Sequence, residues 1–225
     1  MRIKFHQRYL FNMQEKVWPN FSKNLIFKVS SVINSGKINY TTGKYGKKFE
    51  YEFSNYVGNR YSIAICNGTA ALEVAIKSLG LPKGSEIIVP ARSFFASASC
   101  IVNTGYIPVF ADVDLLTQNI SSKDFEKKIT KKTKAIICVH LAGLPCDIYE
   151  IKKIAKKNKI KIIEDCSQAH GASINNKQVG SFGDVSTWSF CNDKIISTLG
   201  EGGMISTNNK KIYEFCKRHI NHGSI

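Results

Sequence analysis

Short apolar runs alternate with longer segments of helical periodicity along most of the chain. Seven runs rich in Val and Ile have the length of buried strands, at residues 62–66, 86–89, 107–111, 134–139, 160–164, 185–190 and 203–207. Apolar residues at helical spacing predict helices at 69–79, 94–103, 122–129, 147–158 and 208–220. This alternation indicates an α/β fold, a three-layer sandwich whose mostly parallel sheet of about seven strands carries helices on both faces.

The N-terminal region has a different pattern. Residues 1–17 show no clear period, and we interpret them as an arm. Ser22 is placed to cap a helix that runs to residue 34 and stops at Gly36. Phe49 and Phe53 begin the apolar spacing of a second helix. We expect residues 18–225 to form one domain, which is an ordinary length for a single core.

Three of the predicted strands are followed by residues that suit one kind of chemistry. Asn67-Gly68-Thr69 joins a strand to a helix, and such a turn binds anions because the backbone N–H groups of a helix start are free. Asp165 ends a strand, and Lys194 follows another in a glycine-rich segment. Carboxyl ends of parallel strands share one edge of a sheet, so these groups should converge. A lysine for an aldehyde and an aspartate for a pyridinium nitrogen are the two anchors of pyridoxal phosphate.

Each of these residues also has an ordinary structural interpretation when it is taken alone. A lysine in a loop is most often a solvated charge. An aspartate after a strand is often a cap or turn residue, and Asn67 or Thr69 can be a simple helix cap. The functional interpretation depends on the three features occurring together.

Nine short segments share their order with a known family. They are residues 18–19, 35–39, 67–72, 108–114, 139–143, 164–172, 189–194, 200–203 and 221–223. In these segments the chain resembles the DegT/StrS-type sugar aminotransferases, a branch of the fold-type-I enzymes that use pyridoxal 5'-phosphate. The resemblance runs from about residue 18 to the C-terminal residue.

The resemblance implies roles for the matching residues. Lys194 would form the Schiff base and move the proton, and Asp165 would pair with the ring nitrogen. Gln168 would lie near the phenolic oxygen, and Phe94 would stack on the ring. Thr69, Ala70 and Ser189 would hold the phosphate, and Gly68, in the turn before them, is also expected to bind the cofactor.

The resemblance also implies an activity and partners. A family member of this kind moves an amino group from an amino acid, here expected to be glutamate, to a nucleotide-linked keto sugar for surface polysaccharide or lipopolysaccharide synthesis, and works as a homodimer. Family members usually have a C-terminal small domain, so we expect this chain to be the large domain, truncated before the small one.

One alternative is a non-catalytic fragment or a cofactor-binding partner subunit. A sugar dehydratase of the same fold, which would carry His at the lysine position, is disfavoured by Lys194. Arg92 departs from the apolar or aromatic residue that is frequent in the family.

Composition excludes several other classes. The net charge of +15 fits a nucleic-acid binder, but the lysines are scattered and form solvated helix faces, so no nucleic-acid partner is expected. The seven cysteines show no paired or zinc-like spacing, which favours a reducing compartment. Asp112 and Asp114 lack a third ligand nearby, so we expect no metal site. No apolar run approaches the ~20 residues of a membrane span, and the expected location is the cytoplasm.

Overall fold

A computed structural model describes residues 18–224. In it the chain forms two compact units, the first of which ends at Ile38. This first unit contains helix α1 (Lys23–Asn34). As predicted, Ser22 caps it, and the Ser22 hydroxyl accepts the N–H of Leu25 at 3.2 Å. No residue of α1 is buried. The predicted arm, residues 1–17, lies outside the described residues.

The second unit, from Asn39 onward, carries the alternating strands and helices. Its elements in chain order are α2 (Tyr45–Val57), β1 (Tyr61–Ile65), α3 (Gly68–Ser78), β2 (Glu86–Pro90), α4 (Phe95–Asn103), β3 (Ile107–Ala111), α5 (Ser122–Lys128), β4 (Thr133–Val139), α6 (Ile148–Asn158), β5 (Lys161–Asp165), β6 (Ser173–Ile174), β7 (Lys177–Gln178), β8 (Val185–Ser189), β9 (Gly203–Thr207) and α7 (Lys210–Ile220). All seven predicted strands are present, within one or two residues of the expected bounds. None of the helices between residues 18 and 224 is long and apolar enough to cross a membrane.

Seven of the strands form one sheet in the order β1-β9-β8-β5-β4-β2-β3. All neighbouring pairs are parallel except those of β9, which runs antiparallel to both β1 and β8. The predicted mostly parallel sheet is therefore confirmed. Because β9 alone is reversed, its first residue, Gly203, lies at the same edge as the last residues of the other strands.

Alternate residues of the central strands point to opposite faces of the sheet and pack into two separate apolar layers. Ile137 and Val139 of β4 pack into the core beneath α3, α4 and α7, whereas Ile136 and Cys138 pack beneath α5 and α6. Helix α2 covers the β1, β8 and β9 end of the sheet, where Trp188 is fully buried. Burial on both faces explains why these strands appear as continuous apolar runs in the sequence.

The sequence pattern missed a small hairpin. Strands β6 and β7 pair antiparallel and are joined by Asn175 and Asn176, which both have positive φ, 51° and 61°. Two consecutive residues in this conformation form a type I′ turn, for which Asn is well suited. Each strand is only two residues long, so no alternation could be detected, and the Asn-Asn pair was the available signal.

Candidate functional site

A cavity of about 490 Å³ lies where the carboxyl ends of β1, β5 and β8 meet. It brings together residues that are far apart in the sequence. Seven of the eight residues predicted for the site line it, namely Gly68, Thr69, Phe94, Asp165, Gln168, Ser189 and Lys194. Ala70 is the predicted residue that does not line it.

The first turn of α3 forms one wall of the cavity. Asn67 has an extended backbone and is the N-cap of the helix, and its side-chain oxygen accepts the N–H of Ala70 at 2.8 Å. Asn67 is thus the ordinary cap that the sequence allowed, and it uses the backbone donor of Ala70. The N–H groups of Gly68 and Thr69 come earlier in the helix and have no partner within it. These two donors and the positive end of the helix dipole are what an anion in the cavity would meet.

Two glycines permit the close approach that shapes this wall. A Cβ atom on Gly68 would lie 2.8 Å from the Cβ of Ser189, at the end of β8. A Cβ on Gly203 would collide with the carbonyl oxygen of Asn67. Any larger residue at either position would push the helix start away from the strands. The space between the helix start and the end of β8 therefore fits a phosphate group.

Asp165 is the negative charge of the site. Its side chain is buried, with 5% exposure, and its two oxygens accept hydrogen bonds from the Ser97 hydroxyl at 3.0 Å and the Ser167 N–H at 3.2 Å. No salt bridge to Asp165 occurs within residues 18–224. A buried carboxylate that has only neutral donors is costly unless a positive group joins it. A protonated pyridine nitrogen fits this requirement.

Lys194 reaches the cavity from the segment after β8. Its side chain is 17% exposed, and Nζ lies 3.2 Å from a carboxylate oxygen of Asp193. The other oxygen of Asp193 accepts the Cys191 thiol at 2.7 Å. This thiol, followed by the Lys194 ammonium, holds the pKa of Asp193 below its usual value. Because Asp193 is largely exposed, its pairing with the lysine is weak and leaves the amine available to a ligand.

Gln168 and Phe94 complete the walls. The Gln168 side-chain oxygen accepts the N–H of Ala142 at 2.8 Å, and Ala142 adopts a positive φ of 52° that aims this donor. Since the oxygen is used, the Gln168 amide group is the part that can donate to a ligand oxygen. Phe94 is 68% exposed and precedes α4 with an extended backbone. An exposed ring beside a cavity is suited to cover a flat ligand.

A buried polar network supports Asp165 from the opposite face of the sheet. The neighbouring Glu164 accepts N–H groups from the backbone of Gly180, Phe182 and Gly183 and a hydrogen bond from His140 at 3.1 Å. Burial would raise the pKa of Glu164, but the His140 and backbone donors outweigh it and lower this pKa. The Cys146 N–H donates to Nδ1 of His140, so the imidazole proton lies on Nε2.

The same network explains a cluster of metal-ligand types that the sequence did not indicate. Donor atoms of His140, Glu164 and Cys166 lie within 4.8 Å of one another. Both ring nitrogens of His140 and both oxygens of Glu164 are already used in hydrogen bonds. The arrangement therefore acts as a structural brace for the end of β5.

His170 packs against aromatic residues that precede Lys194 in the chain. Its ring contacts those of Trp188 and Phe190 at centroid distances of 5.3 and 5.5 Å, and neither ring nitrogen has a hydrogen-bond partner among the described residues. Burial, followed by the charge of Lys194, lowers the pKa of His170 to about 4. The imidazole is thus neutral at physiological pH. It does not line the cavity.

Comparison with known proteins identifies the family and the fold. The profile of the DegT/DnrJ/EryC1/StrS aminotransferase family matches residues 19–225. GDP-perosamine synthase of Escherichia coli O157:H7 is 47% identical over 174 residues, which are 77% of this chain and 48% of that protein. The solved aminotransferase from Psychrobacter cryohalolentis matches with a TM-score of 0.90 and 46% identity, covering 92% of this chain and 52% of that one.

A further solved relative contains a cofactor. GDP-4-keto-6-deoxymannose-3-dehydratase, solved with a trapped PLP-glutamate geminal diamine, matches with a TM-score of 0.86 and 33% identity, over 92% of this chain and 54% of that one. The chain therefore belongs to the DegT/DnrJ/EryC1/StrS aminotransferase family and has the large-domain fold of fold-type-I aminotransferases. It spans about half the length of the curated relatives it matches.

Proposed function

We propose that this chain is the cofactor-binding part of a pyridoxal phosphate-dependent aminotransferase that acts on a nucleotide-linked keto sugar. The observation that carries the proposal is Asp165, a buried carboxylate without a positive partner in the described chain, in the same cavity as Lys194. The helix start at Gly68 and Thr69 supplies a phosphate site in that cavity. Three anchors for one cofactor thus share one space.

Four residues of the cavity have defined tasks in this proposal. When bound, pyridoxal phosphate supplies an electron sink for the carbon that loses or gains the amino group. Asp165 would keep a proton on the ring nitrogen, and the Gln168 amide would donate to the phenolic oxygen. The Lys194 amine would hold the cofactor through its aldehyde and would move a proton at the substrate carbon. Phe94 covers the ring and limits the access of water.

The phosphate is assigned to the N–H groups of Gly68 and Thr69 and the hydroxyl of Ser189. The Ala70 N–H, which the family resemblance included, already donates to Asn67. Ala70 contributes in this proposal by fixing the cap that orients the two free donors. Gly68 contributes by having no Cβ, so that Ser189 and the helix start can face the same anion.

Transamination is favoured over sugar dehydration. Dehydratases share this fold, and the family resemblance places His in them where this chain has Lys194. An amine at this position can both hold the cofactor and transfer a proton. We propose an amino-acid donor, glutamate in particular, a role in surface polysaccharide or lipopolysaccharide synthesis, and a cytoplasmic location.

Homodimerisation is part of the proposal. Support comes from large apolar side chains that are exposed close to the cavity, Phe94 at 68% and Phe95 at 79%. Exposed apolar groups of this size commonly mark interaction surfaces.

The cofactor assignment is tested by trapping the bound aldehyde on the protein. The chain is incubated with pyridoxal phosphate and reduced with borohydride, and the peptide that carries the added mass is identified by mass spectrometry. The mass is expected on Lys194 and should be lost in Lys194→Ala. Lys77→Ala removes an exposed lysine at the far end of α3 and should retain the label. Labelling of a different lysine, or none, contradicts the proposal. Labelling without amino transfer from glutamate supports the cofactor site and contradicts glutamate as the amino donor.

A further inference from the structure

A second cavity adjoins the cofactor cavity and contains an arginine that the proposed chemistry does not use. Its volume is about 500 Å³, which is within the usual range of small-molecule sites. It shares Ser93, Phe94 and Gln168 with the first cavity, so the two cavities are immediate neighbours. Arg92 lines the second cavity and not the first.

Arg92 is held in place by a rigid turn. One guanidinium nitrogen donates to the side-chain oxygen of Gln118 at 2.7 Å, and the Gln118 amide nitrogen donates to the carbonyl of Leu115 at 2.7 Å. Gln118 has a positive φ of 59°, and its own N–H donates to the carbonyl of Asp114 at 2.8 Å. The Asp114 carboxylate accepts the N–H groups of Leu116 and Thr117. Both ends of the Gln118 amide are therefore fixed, and the arginine is oriented in advance.

The guanidinium retains most of its binding capacity. Within the described part of the chain no carboxylate forms a salt bridge with Arg92, which is exposed. Gln118 is neutral and uses one donor, so the charge and the remaining N–H groups of the fork face the cavity or solvent. A planar fork of this kind matches the oxygens of a phosphate in two-point contact.

The position of Arg92 distinguishes between two anionic substrates. The α-carboxylate of an amino acid is attached to the reacting carbon, so it must lie inside the cofactor cavity. The diphosphate of a nucleotide-linked sugar is separated from the reacting carbon by part of the sugar ring, which places it in a neighbouring space. Leu141 and Leu144 supply apolar walls there for the sugar or the base. The second cavity fits the diphosphate better.

We propose that Arg92 binds the diphosphate of the nucleotide-linked sugar in this second cavity and thereby selects the sugar substrate over other carbonyl compounds. The inference rests on the proposed function, since it takes the adjoining cavity as the cofactor site. Gln118 is a positioning residue in this arrangement, because it acts only through the orientation of Arg92.

Binding of a nucleoside diphosphate tests the proposal without any turnover. Calorimetric titration of the pyridoxal phosphate-loaded chain with GDP, and separately with UDP, is expected to show one site. Arg92→Ala should weaken binding of both about tenfold to a hundredfold, because a hydrogen-bonded charge is lost. Arg92→Lys keeps the charge without the fork and should recover only part of the affinity. Gln118→Ala should weaken binding several-fold.

Two controls separate this effect from bulk charge and from the amino donor. Arg60→Ala removes an exposed arginine at the opposite end of β1 from the cavity and should leave GDP affinity unchanged. Binding of L-glutamate should be unchanged in Arg92→Ala. The proposal is overturned if GDP and UDP do not bind, if Arg92→Ala binds them normally, if Arg60→Ala has an equal effect, or if Arg92→Ala weakens glutamate instead.

Failure of this inference can be told apart from failure of the cofactor assignment. Borohydride labelling of Lys194 reports the cofactor independently of GDP. A labelled chain that binds no nucleoside diphosphate leaves the cofactor site intact and rejects the role of Arg92. If Lys194 is not labelled, the titration is made on the chain without cofactor. The diphosphate site at Arg92 is then retained only if Arg92→Ala still weakens GDP binding.

Discussion

The Ser97 hydroxyl donates a hydrogen bond of 3.0 Å to a carboxylate oxygen of Asp165. Ser97 is fully buried in α4, and its oxygen also lies 2.7 Å from the hydroxyl of Ser93 at the cavity wall. A helix on one layer thus fixes the carboxylate at the end of a central strand. Because the other oxygen of Asp165 is held by a backbone N–H, the side chain has one orientation available towards the cavity.

Removal of the Ser97 hydroxyl should loosen the cofactor. In Ser97→Ala the buried Asp165 carboxylate keeps its charge but loses a neutral donor, so the affinity for pyridoxal phosphate should fall about tenfold. Ser97→Thr retains a hydroxyl and should bind more tightly than Ser97→Ala. Ser93→Ala, which does not contact Asp165, should have a smaller effect. Equilibrium dialysis measures these constants, and equal affinities in all variants would show that the contact does not position Asp165.

A methyl group at Gly68 should disturb both the fold and the anion site. In Gly68→Ala the new Cβ would lie 2.8 Å from the Cβ of Ser189, which requires a shift of the helix start. Overpacking of this kind costs about 1–3 kcal/mol of unfolding free energy. Cofactor affinity should also fall. Gly200→Ala is the matched control, because nothing lies within 4 Å of a Cβ at Gly200. Urea unfolding measures the difference, and equal stability of the two variants would contradict the close approach.

The sequence predicted the residues whose roles depend on local context. Apolar runs predicted the strand ends at Asp165 and before Lys194. The start of a helical pattern predicted the turn at Asn67 and Gly68. These signals involve only a few neighbouring residues. The parallel sheet then required their convergence. The family resemblance added Gln168 and Phe94, whose side chains have no such local signal.

The contacts that the sequence did not reveal depend on register between distant segments. Ser97 meets Asp165 across 68 residues, and its hydroxyl in an apolar helix has no pattern of its own. Glu164 finds its backbone donors in the loop at Gly180 and Phe182, which only the folded sheet brings near. The reversed direction of β9 follows from pairing with β1 and β8, and strand propensity does not encode direction.

The buried ring of His170 should make the stability of the fold sensitive to acid. The pKa of His170 is about 4 in the folded chain, below the ordinary histidine value of about 6.5. The unfolded chain therefore takes up this proton first, so the stability from the neutral ring is complete above about pH 6.5 and is lost as pH falls towards 4. His170→Phe should flatten this part of the pH dependence of unfolding. His219→Gln, at an exposed histidine, should leave it unchanged. Identical profiles for His170→Phe and the parent chain would contradict a buried neutral His170.

The charge of Glu164 should be a larger determinant of stability than that of exposed carboxylates. In Glu164→Gln one oxygen becomes an NH₂ group that faces N–H donors of His140 and Gly180 or of Phe182 and Gly183. Opposed donors in a fully buried site should cost about 1–3 kcal/mol of unfolding free energy. Glu126→Gln breaks only a 3.7 Å exposed pair with Lys157 and should cost less than about 1 kcal/mol. Urea unfolding of both variants measures the costs. If Glu164→Gln costs no more than Glu126→Gln, the network does not brace the strand that carries Asp165.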